Sequence, residues 1–448
     1  MKRFFWIGLC LSMIASMLTA QDTPKQWTLE ECIRYAWENN IELKQKEQEL
    51  ESREISLHTS KNSWLPDLNA SIGQNFDFGR SPSESGILLE RNSASTSAYV
   101  GVSMPVFDGM KIINDIAAKK LDLQASMQSL EKVRENIAMN IASTYLQVLY
   151  NKEVEHIAQL QVELTTEQVT RTEAMVDAGR VPQSQYYDIA AQLARDEATR
   201  TDATNNVRLS LLDLAQMLEL EREEKNFDVV MPTEQDAIEQ YIGSILPPDV
   251  IFENALTFKP MIKEQEFMLE SQKRQLKVAQ AGYYPKLNLN ASYSNGFYHY
   301  YNGVEGQASF SDQLKQNERK TIGLSLSIPI FNRFQVRNSV RSSRVAVNNQ
   351  QLAIEATRKN LYKEIQQAFY NAVASQDKYD AARKAVKASE EAYRYADERY
   401  NAGKSSVFEY NEAKTKYAQS LGEQAQAKYN YIFSTKILDF YNGVPLRL

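Results

Sequence analysis

The sequence predicts a mixed α and β fold in which one unit, a β-hairpin set between helices, occurs twice. Three observations predict it. Motifs return in the same order: Ser63-Trp64-Leu65-Pro66-Asp67-Leu68-Asn69 as Gly282-Tyr283-Tyr284-Pro285-Lys286-Leu287-Asn288, at an offset of 285 − 66 = 219. Met104-Pro105-Val106-Phe107 then returns as Ile328-Pro329-Ile330-Phe331 and Asp177-Ala178-Gly179-Arg180 as Asn401-Ala402-Gly403-Lys404, both offset by 224, so five residues are gained in an intervening loop. Apolar residues alternate with polar ones after Pro66 and after Pro285, and residues 112–176 and 336–400 contain neither Pro nor Gly. A period this long is a duplicated domain, not a solenoid.

The elements follow in order. Residues 1–20 read as a secretory signal peptide, with Lys2 and Arg3 ahead of an apolar stretch and Leu18-Thr19-Ala20 before the cut; that stretch is shorter than the ~20 residues of a spanning helix. The first repeat runs over 21–226. Helix is predicted from Thr28 to Ser63, opened by a capping box with Glu31 three residues after Thr28. A hairpin follows over about 66–107: Leu68, Ala70, Ile72, Phe76 and Phe78 alternate with polar residues, and Ala98, Val100, Val102 and Met104 do the same beyond a Ser-, Gly- and Pro-rich loop at 79–95. The long helix over about 112–176 would run for roughly 97 Å at the helical rise, and a return helix occupies about 184–220. Residues 227–250, with Pro232, Pro247 and Pro248, read as a connector containing a short strand. The second repeat, 251–448, has its hairpin at about 285–331 with a loop near 302–320, its long helix at about 336–400 and its return helix at about 406–442. Helices of this length are built to pack along one another.

Composition narrows the function. Of 51 basic residues Lys2 and Arg3 belong to the leader, so 49 face 57 acidic ones for a net charge of −8, which argues against nucleic acid as a partner. The mature chain keeps one cysteine, Cys32, and so has no internal disulfide. His58, His156 and His299 are scattered, with no metal-ligand or triad spacing, no phosphate loop and no GxSxG, so no enzyme and no cofactor is expected.

The amphipathic strands fit an ordinary half-buried sheet, or a barrel whose apolar faces meet lipid and whose polar faces line water. About 9 to 11 residues per tilted strand cross a bilayer, and these strands are that long. Phe76 and Phe78, with Tyr283, Tyr284, Phe297, Tyr298, Tyr300 and Tyr301, would then lie at the lipid–water interfaces, where amphipathic rings are favoured. Four strands cannot close a barrel, and an open edge in hydrocarbon leaves backbone groups unpaired. The membrane reading therefore requires oligomerisation, two chains giving eight strands and a plugged bore, three giving twelve and an open lumen. A soluble periplasmic coiled-coil structural or adaptor protein is the alternative of another class.

Five motifs in order resemble the TolC-like outer-membrane efflux family: Asn254-Ala255-Leu256 with Lys259-Pro260; Ala281 with Tyr284-Pro285-Lys286-Leu287; Ile328-Pro329-Ile330-Phe331; Arg399-Tyr400-Asn401-Ala402-Gly403-Lys404-Ser405-Ser406; and Ala427-Lys428-Tyr429-Asn430-Tyr431. The resemblance covers essentially the whole mature chain. It implies a homotrimer with a twelve-stranded β-barrel in the outer-membrane lipid of a Gram-negative bacterium, continued by a periplasmic helical tunnel. It further implies docking to a periplasmic adaptor (membrane fusion) protein and an inner-membrane transporter, with drugs or metals, or proteins in a type I secretion system, passing through.

The resemblance also implies a gate. The family closes its tunnel with acidic side chains six and nine residues after the second tip glycine, here Glu409 and Glu412 where the family's best-known member has aspartates. Spaced i, i+3, they share a helix face, which is equally the spacing of a plain solvated face. Tyr400 keeps the tyrosine of a polar link whose acidic partner is replaced by Gln185 and whose basic residue is replaced by Ser405; Lys404 or Arg180 can substitute, with Asp188 accepting. The tips, Gly179-Arg180-Val181 and Gly403-Lys404-Ser405, are the expected adaptor contacts, their glycines permitting the turns.

Overall fold

In a computed structural model, residues 25–82, 88–90, 92–220, 227–231, 245–301 and 307–446 are described. The leader expected over 1–20 and most of the connector after Met231 lie outside them. The chain packs as two discontinuous units, one of residues 1–47, 130–260 and 357–448, the other of residues 48–129 and 261–356.

The second of these holds a four-stranded antiparallel sheet in the order β2 (Asp67–Asp77), β5 (Ser93–Phe107), β7 (Lys286–Tyr300), β8 (Arg319–Ser327). The register carries the apolar residues of all four strands onto one face: Leu68 opposes Val102, Val102 opposes Ala291, and Ala291 opposes Ile322. One row nearer the helices, Met104, Leu289 and Leu324 line up likewise. Side chains alternate across a strand, so Asn69, Gly101, Asn290 and Gly323 are left on the other face, where Ser103 Oγ lies 3.0 Å from Asn290 Oδ1. The apolar face is bare: Leu68, Ile72, Ile322 and Leu324 are 66, 82, 81 and 67% exposed. A one-residue slip would exchange the two faces, so this pattern fixes the register.

The loop expected over 79–95 instead carries a small second hairpin, β3 (Arg80–Pro82) with β4 (Leu88–Glu90). The 302–320 loop carries a short helix after residue 306, α7 (Phe310–Gln316), because Ser309 caps it by accepting from Asp312 N–H. Strand parity also separates the expected interfacial rings. Phe76 and Phe297 fall on the apolar face, whereas Tyr298 and Tyr300, one residue out of phase, fall on the polar one. Tyr283 and Tyr284 stand at the helix-to-strand junction ahead of β7, both exposed.

Below each hairpin the chain turns into helix. Asp108 is buried and accepts from the N–H groups of Lys111 (3.1 Å) and Ile112 (2.8 Å), opening α3 (Lys111–Asp177). In the second copy Asn332 stands there, and the turn into α8 (Gln335–Asn401) uses positive φ at Arg333 and Phe334.

In the other unit, α1 (Leu29–Asn39) begins with the expected capping box, Thr28 with Glu31, but ends at Asn40. The helix read as continuous from 28 to 63 is therefore two. Asn40 is extended, and its side-chain oxygen accepts from Glu42 N–H at 2.9 Å and Leu43 N–H at 3.3 Å, opening α2 (Ile41–Asn62). The second repeat breaks at the position 219 residues on, Lys259, between α5 (Pro248–Phe258) and α6 (Pro260–Gln280), because a residue before proline avoids the helical region. Helix α5 thus begins inside the span read as connector. The strand expected there is β6 (Phe227–Val229), parallel to β1 (Lys25–Trp27) and sealed by the Tyr145 hydroxyl, 2.9 Å from the Val230 carbonyl. Among the described residues, no helix is long and apolar enough to cross a membrane.

Candidate functional site

The candidate site lies where the long helices turn back into the return helices α4 (Gln183–Met217) and α9 (Val407–Tyr441). Both turns close the same way. Arg180 N–H donates to Met175 O and Gly179 N–H to Val176 O, each at 2.9 Å; Lys404 donates to Arg399 O and Gly403 to Tyr400 O at the same distance. These are Schellman closures with a left-handed residue at the turn. Gly179 and Gly403 have φ of 65° and 71°, and open space where a Cβ would stand, so backbone conformation alone calls for glycine.

The starts of the return helices differ. Pro182 precedes α4 and offers no side-chain cap, whereas Ser406 accepts from Glu409 N–H at 3.2 Å to cap α9. Glu409 is the third residue of that helix. Its carboxylate takes a hydrogen bond from the Ser405 hydroxyl and lies 3.8 Å from Arg399 Nη2. Glu412, one turn on, pairs with Lys416 at 2.7 Å. Both carboxylates are thus exposed and each is already paired within its own chain. Asp188 and Glu412 line one groove of about 630 Å³ between α4 and α9, together with Arg195, Phe408, Asn411 and Lys416.

Tyr400 and Gln185 are not linked. The Tyr400 ring is buried in a cluster with Ile189, Val407 and Tyr410, its centroid 5.2 Å from that of Tyr410, and Gln185 spends its N–H on Pro182 O as the first turn of α4. A tyrosine at this spacing can serve as core as readily as it can make a polar link, and here apolar neighbours on three helices take the ring. The hydroxyl pair nearby is Tyr393 with Tyr410, 3.1 Å apart, and burial pushes both phenols above their ordinary range. Arg180, Val181, Lys404 and Ser405 lie in the turns, the first and third of them exposed.

Sequence reasoning missed the strongest polar contact of the region. Lys414, 1% exposed, donates to Asp196 Oδ2 at 2.9 Å and to the Thr165 hydroxyl, so α9, α4 and α3 are fastened at one point. Thr165 Oγ1 and Gln192 Nε2 also reach the Asp196 carboxylate, at 2.5 Å and 2.7 Å. The signal was present: Val407, Tyr410 and Lys414 follow the i, i+3, i+7 rhythm of a buried helix face, with the lysine where an apolar residue is expected. Further along the same face of α3, Gln168 Nε2 and Thr172 Oγ1 are buried with no partner.

The profile described as outer membrane efflux protein matches residues 32–219 and 251–443, one match per repeat. The chain is 21% identical over 443 residues to outer membrane protein TolC of Escherichia coli (strain K12), covering 96% of this chain and 83% of that one. It is 24% identical over 347 residues to the pyoverdine export outer membrane protein OpmQ of Pseudomonas putida, covering 75% and 68%. The crystal structure of the Campylobacter jejuni CmeC outer membrane channel shares the fold, with a TM-score of 0.75, 20% identity and coverage of 93% of this chain and 86% of that one.

Proposed function

The chain belongs to the outer membrane efflux protein family, and from that premise we propose that it is one third of a homotrimeric duct, open to the exterior through a shared barrel and fed from the periplasm. The observation that carries this reading is the sheet: an uncovered apolar face, a polar reverse face, and two outer strands, β2 and β8, each paired on one side only. In hydrocarbon an unpaired edge costs several kcal/mol per group, so the edges must meet those of other copies. Three copies supply twelve strands, enough for a water-filled lumen lined by the Asn, Ser, Gly and Thr face.

In this duct the tip turns contact a periplasmic adaptor joined to an inner-membrane transporter, and small molecules pass outward. Glu409 and Glu412 narrow the periplasmic end. Threefold repetition places a ring of carboxylates at each level, which attracts cations and resists full ionisation through like-charge repulsion. Their local partners Arg399, Ser405 and Lys416 hold them near the turn and partly offset that charge.

Native mass measurement of detergent-purified protein tests the assembly: a three-copy species supports it, and a monomer extracted without detergent overturns it. Conductance in planar bilayers tests the gate. Glu409→Ala with Glu412→Ala should raise the current and weaken block by multivalent cations; unchanged current and unchanged block would refute the assignment.

A further inference from the structure

Strand β7 runs to Tyr300, but β8 pairs with it only as far as Ser294. Among the described residues no strand pairs with this edge beyond that point, and side chains of the following loop take the place of one. Gln313 accepts from Tyr298 N–H at 2.8 Å and donates back to Tyr298 O at 2.9 Å. Gln307 also donates to Tyr298 O, at 2.8 Å, and Asn317 donates to Gly296 O at 2.6 Å. Helix α7 is thereby seated on β7 from both of its ends.

It is seated over the apolar face. Asn295 and Phe297 share that face with Ala291 and Tyr293, and both touch α7: Asn295 Nδ2 donates to Leu314 O at 2.7 Å, and the Phe297 and Phe310 rings meet edge to face at 5.0 Å. Phe310 remains 58% exposed and Leu314 38%, continuing the bare surface of Ile322 and Leu324. On β8 the apolar face ends in charge, at Lys320 opposite Tyr293. Lys315 is exposed on α7. Over residues 302–320 the sequence sets Lys315, Arg319 and Lys320 against Glu305, Asp312 and Glu318, the last paired with Lys320 at 2.6 Å.

We propose that α7 is an interfacial collar, with Phe310 and Leu314 against the acyl chains of the outer leaflet and Lys315 and Lys320 on the phosphates of its glycolipid headgroups. Continuity with the lipid-facing sheet and the switch from apolar to cationic at Lys320 mark the level of the boundary; apolar side chains flanked by lysines are what such an interface retains. The proposal rests on the lipid-facing reading of the sheet, and its test separates the two.

A fluorophore on Phe310→Cys, and in a separate protein on Ile322→Cys, is followed in phosphatidylcholine vesicles carrying spin labels either at the headgroup or deep in the acyl chain. The Phe310 site should be quenched by the headgroup label and the Ile322 site by the deep one. Quenching of the Phe310 site by aqueous iodide alone overturns the collar, whereas loss of deep quenching at Ile322 overturns the lipid-facing sheet. Headgroup recognition is read by native mass spectrometry with purified lipopolysaccharide. Lys315→Gln with Lys320→Gln should weaken retention about thirtyfold, and the double arginine variant should restore it. Retention equal to the parent protein's overturns the assignment of the lysines.

Discussion

Removing Lys414 and removing Asp196 should have unequal consequences. The pair is 2.9 Å apart, with the lysine side chain 2% exposed and the aspartate 13%. Breaking a buried pair from one side costs about 3–5 kcal/mol, chiefly because a charge is left without compensation. In Asp196→Leu the ammonium keeps only the Thr165 hydroxyl as acceptor, so the upper part of that range applies. In Lys414→Met the carboxylate keeps Thr165 and Gln192 as donors and has some access to water, so the cost falls to about 2 kcal/mol, near that of a single hydrogen bond to a charged group. The double variant removes both charges and should recover most of the loss. Hydrogen exchange of α9 amides in the detergent-solubilised protein reads this locally. At about 1.4 kcal/mol per tenfold, protection should fall by roughly a thousandfold in Asp196→Leu, by about thirtyfold in Lys414→Met, and by less than either in the double variant. Equal single effects that simply add in the double variant would refute the buried-pair reasoning.

Burial also pushes the Cys32 thiol up to about 12, so at pH 8 it is protonated as well as enclosed; a maleimide should label it only after denaturation, and rapid labelling of native protein would contradict its placement. At the break between α5 and α6, Lys259 lies 3.2 Å from Glu135 with its ammonium 3.5 Å above the Phe440 ring. Desolvation dominates both groups, lowering the lysine and raising the glutamate. By linkage the raised Glu135 favours the fold fully below its unfolded value of 4.5 and loses that contribution as pH rises through its folded value. The lowered Lys259 favours the fold above 10.5 and loses its contribution as pH falls through its own folded value. At pH 7 the charged pair therefore carries both desolvation costs, and Lys259→Met with Glu135→Leu should melt no lower than the parent protein although each single change melts lower; a double variant as unstable as the worse single one would refute this. Gly403→Ala should cost about 1–2 kcal/mol through its positive φ alone, measurable as faster exchange at the second tip, and unchanged exchange there would count against the left-handed turn.

The duplicated unit and its four main strands were legible because period-two alternation and proline-free helix leave long-range traces in a sequence. The breaks at Asn40 and Lys259 were not. Asn40 interrupts a run of good helix formers, and only its side-chain capping of the next helix reveals the stop. Lys259 precedes a proline, which carried the signal, but long helices tolerate a proline in the first turn and the pattern on either side is continuous. The collar was illegible for a different reason: two glutamines and an asparagine replacing a strand edge have no period at all. The surroundings of Tyr400 were not legible either, since spacing places a residue on a helix face without saying which neighbouring helix supplies the contact.

The two copies differ at the end where the gate is proposed. At an offset of 224, Tyr393, Tyr400 and Lys414 of the second copy correspond to Val169, Val176 and Ala190 of the first, and the capping Ser406 corresponds to Pro182. The two tips share one cluster, in which the first copy supplies Val169 and Ile189 and the second supplies rings and hydroxyls, with a buried ammonium further along α9. Aliphatic packing is non-directional and tolerates small shifts, whereas a charge held by two oxygens and a hydroxyl pair 3.1 Å apart lose most of their worth over an ångström. Partnerless Gln168 and Thr172 on α3 show that this polar packing is only partly satisfied as it stands. A rearrangement that moves α9 against α3 and α4 therefore exchanges specific contacts for others, giving discrete positions. In the proposed threefold assembly this places one such set of specific contacts per chain around the end that Glu409 and Glu412 are proposed to narrow.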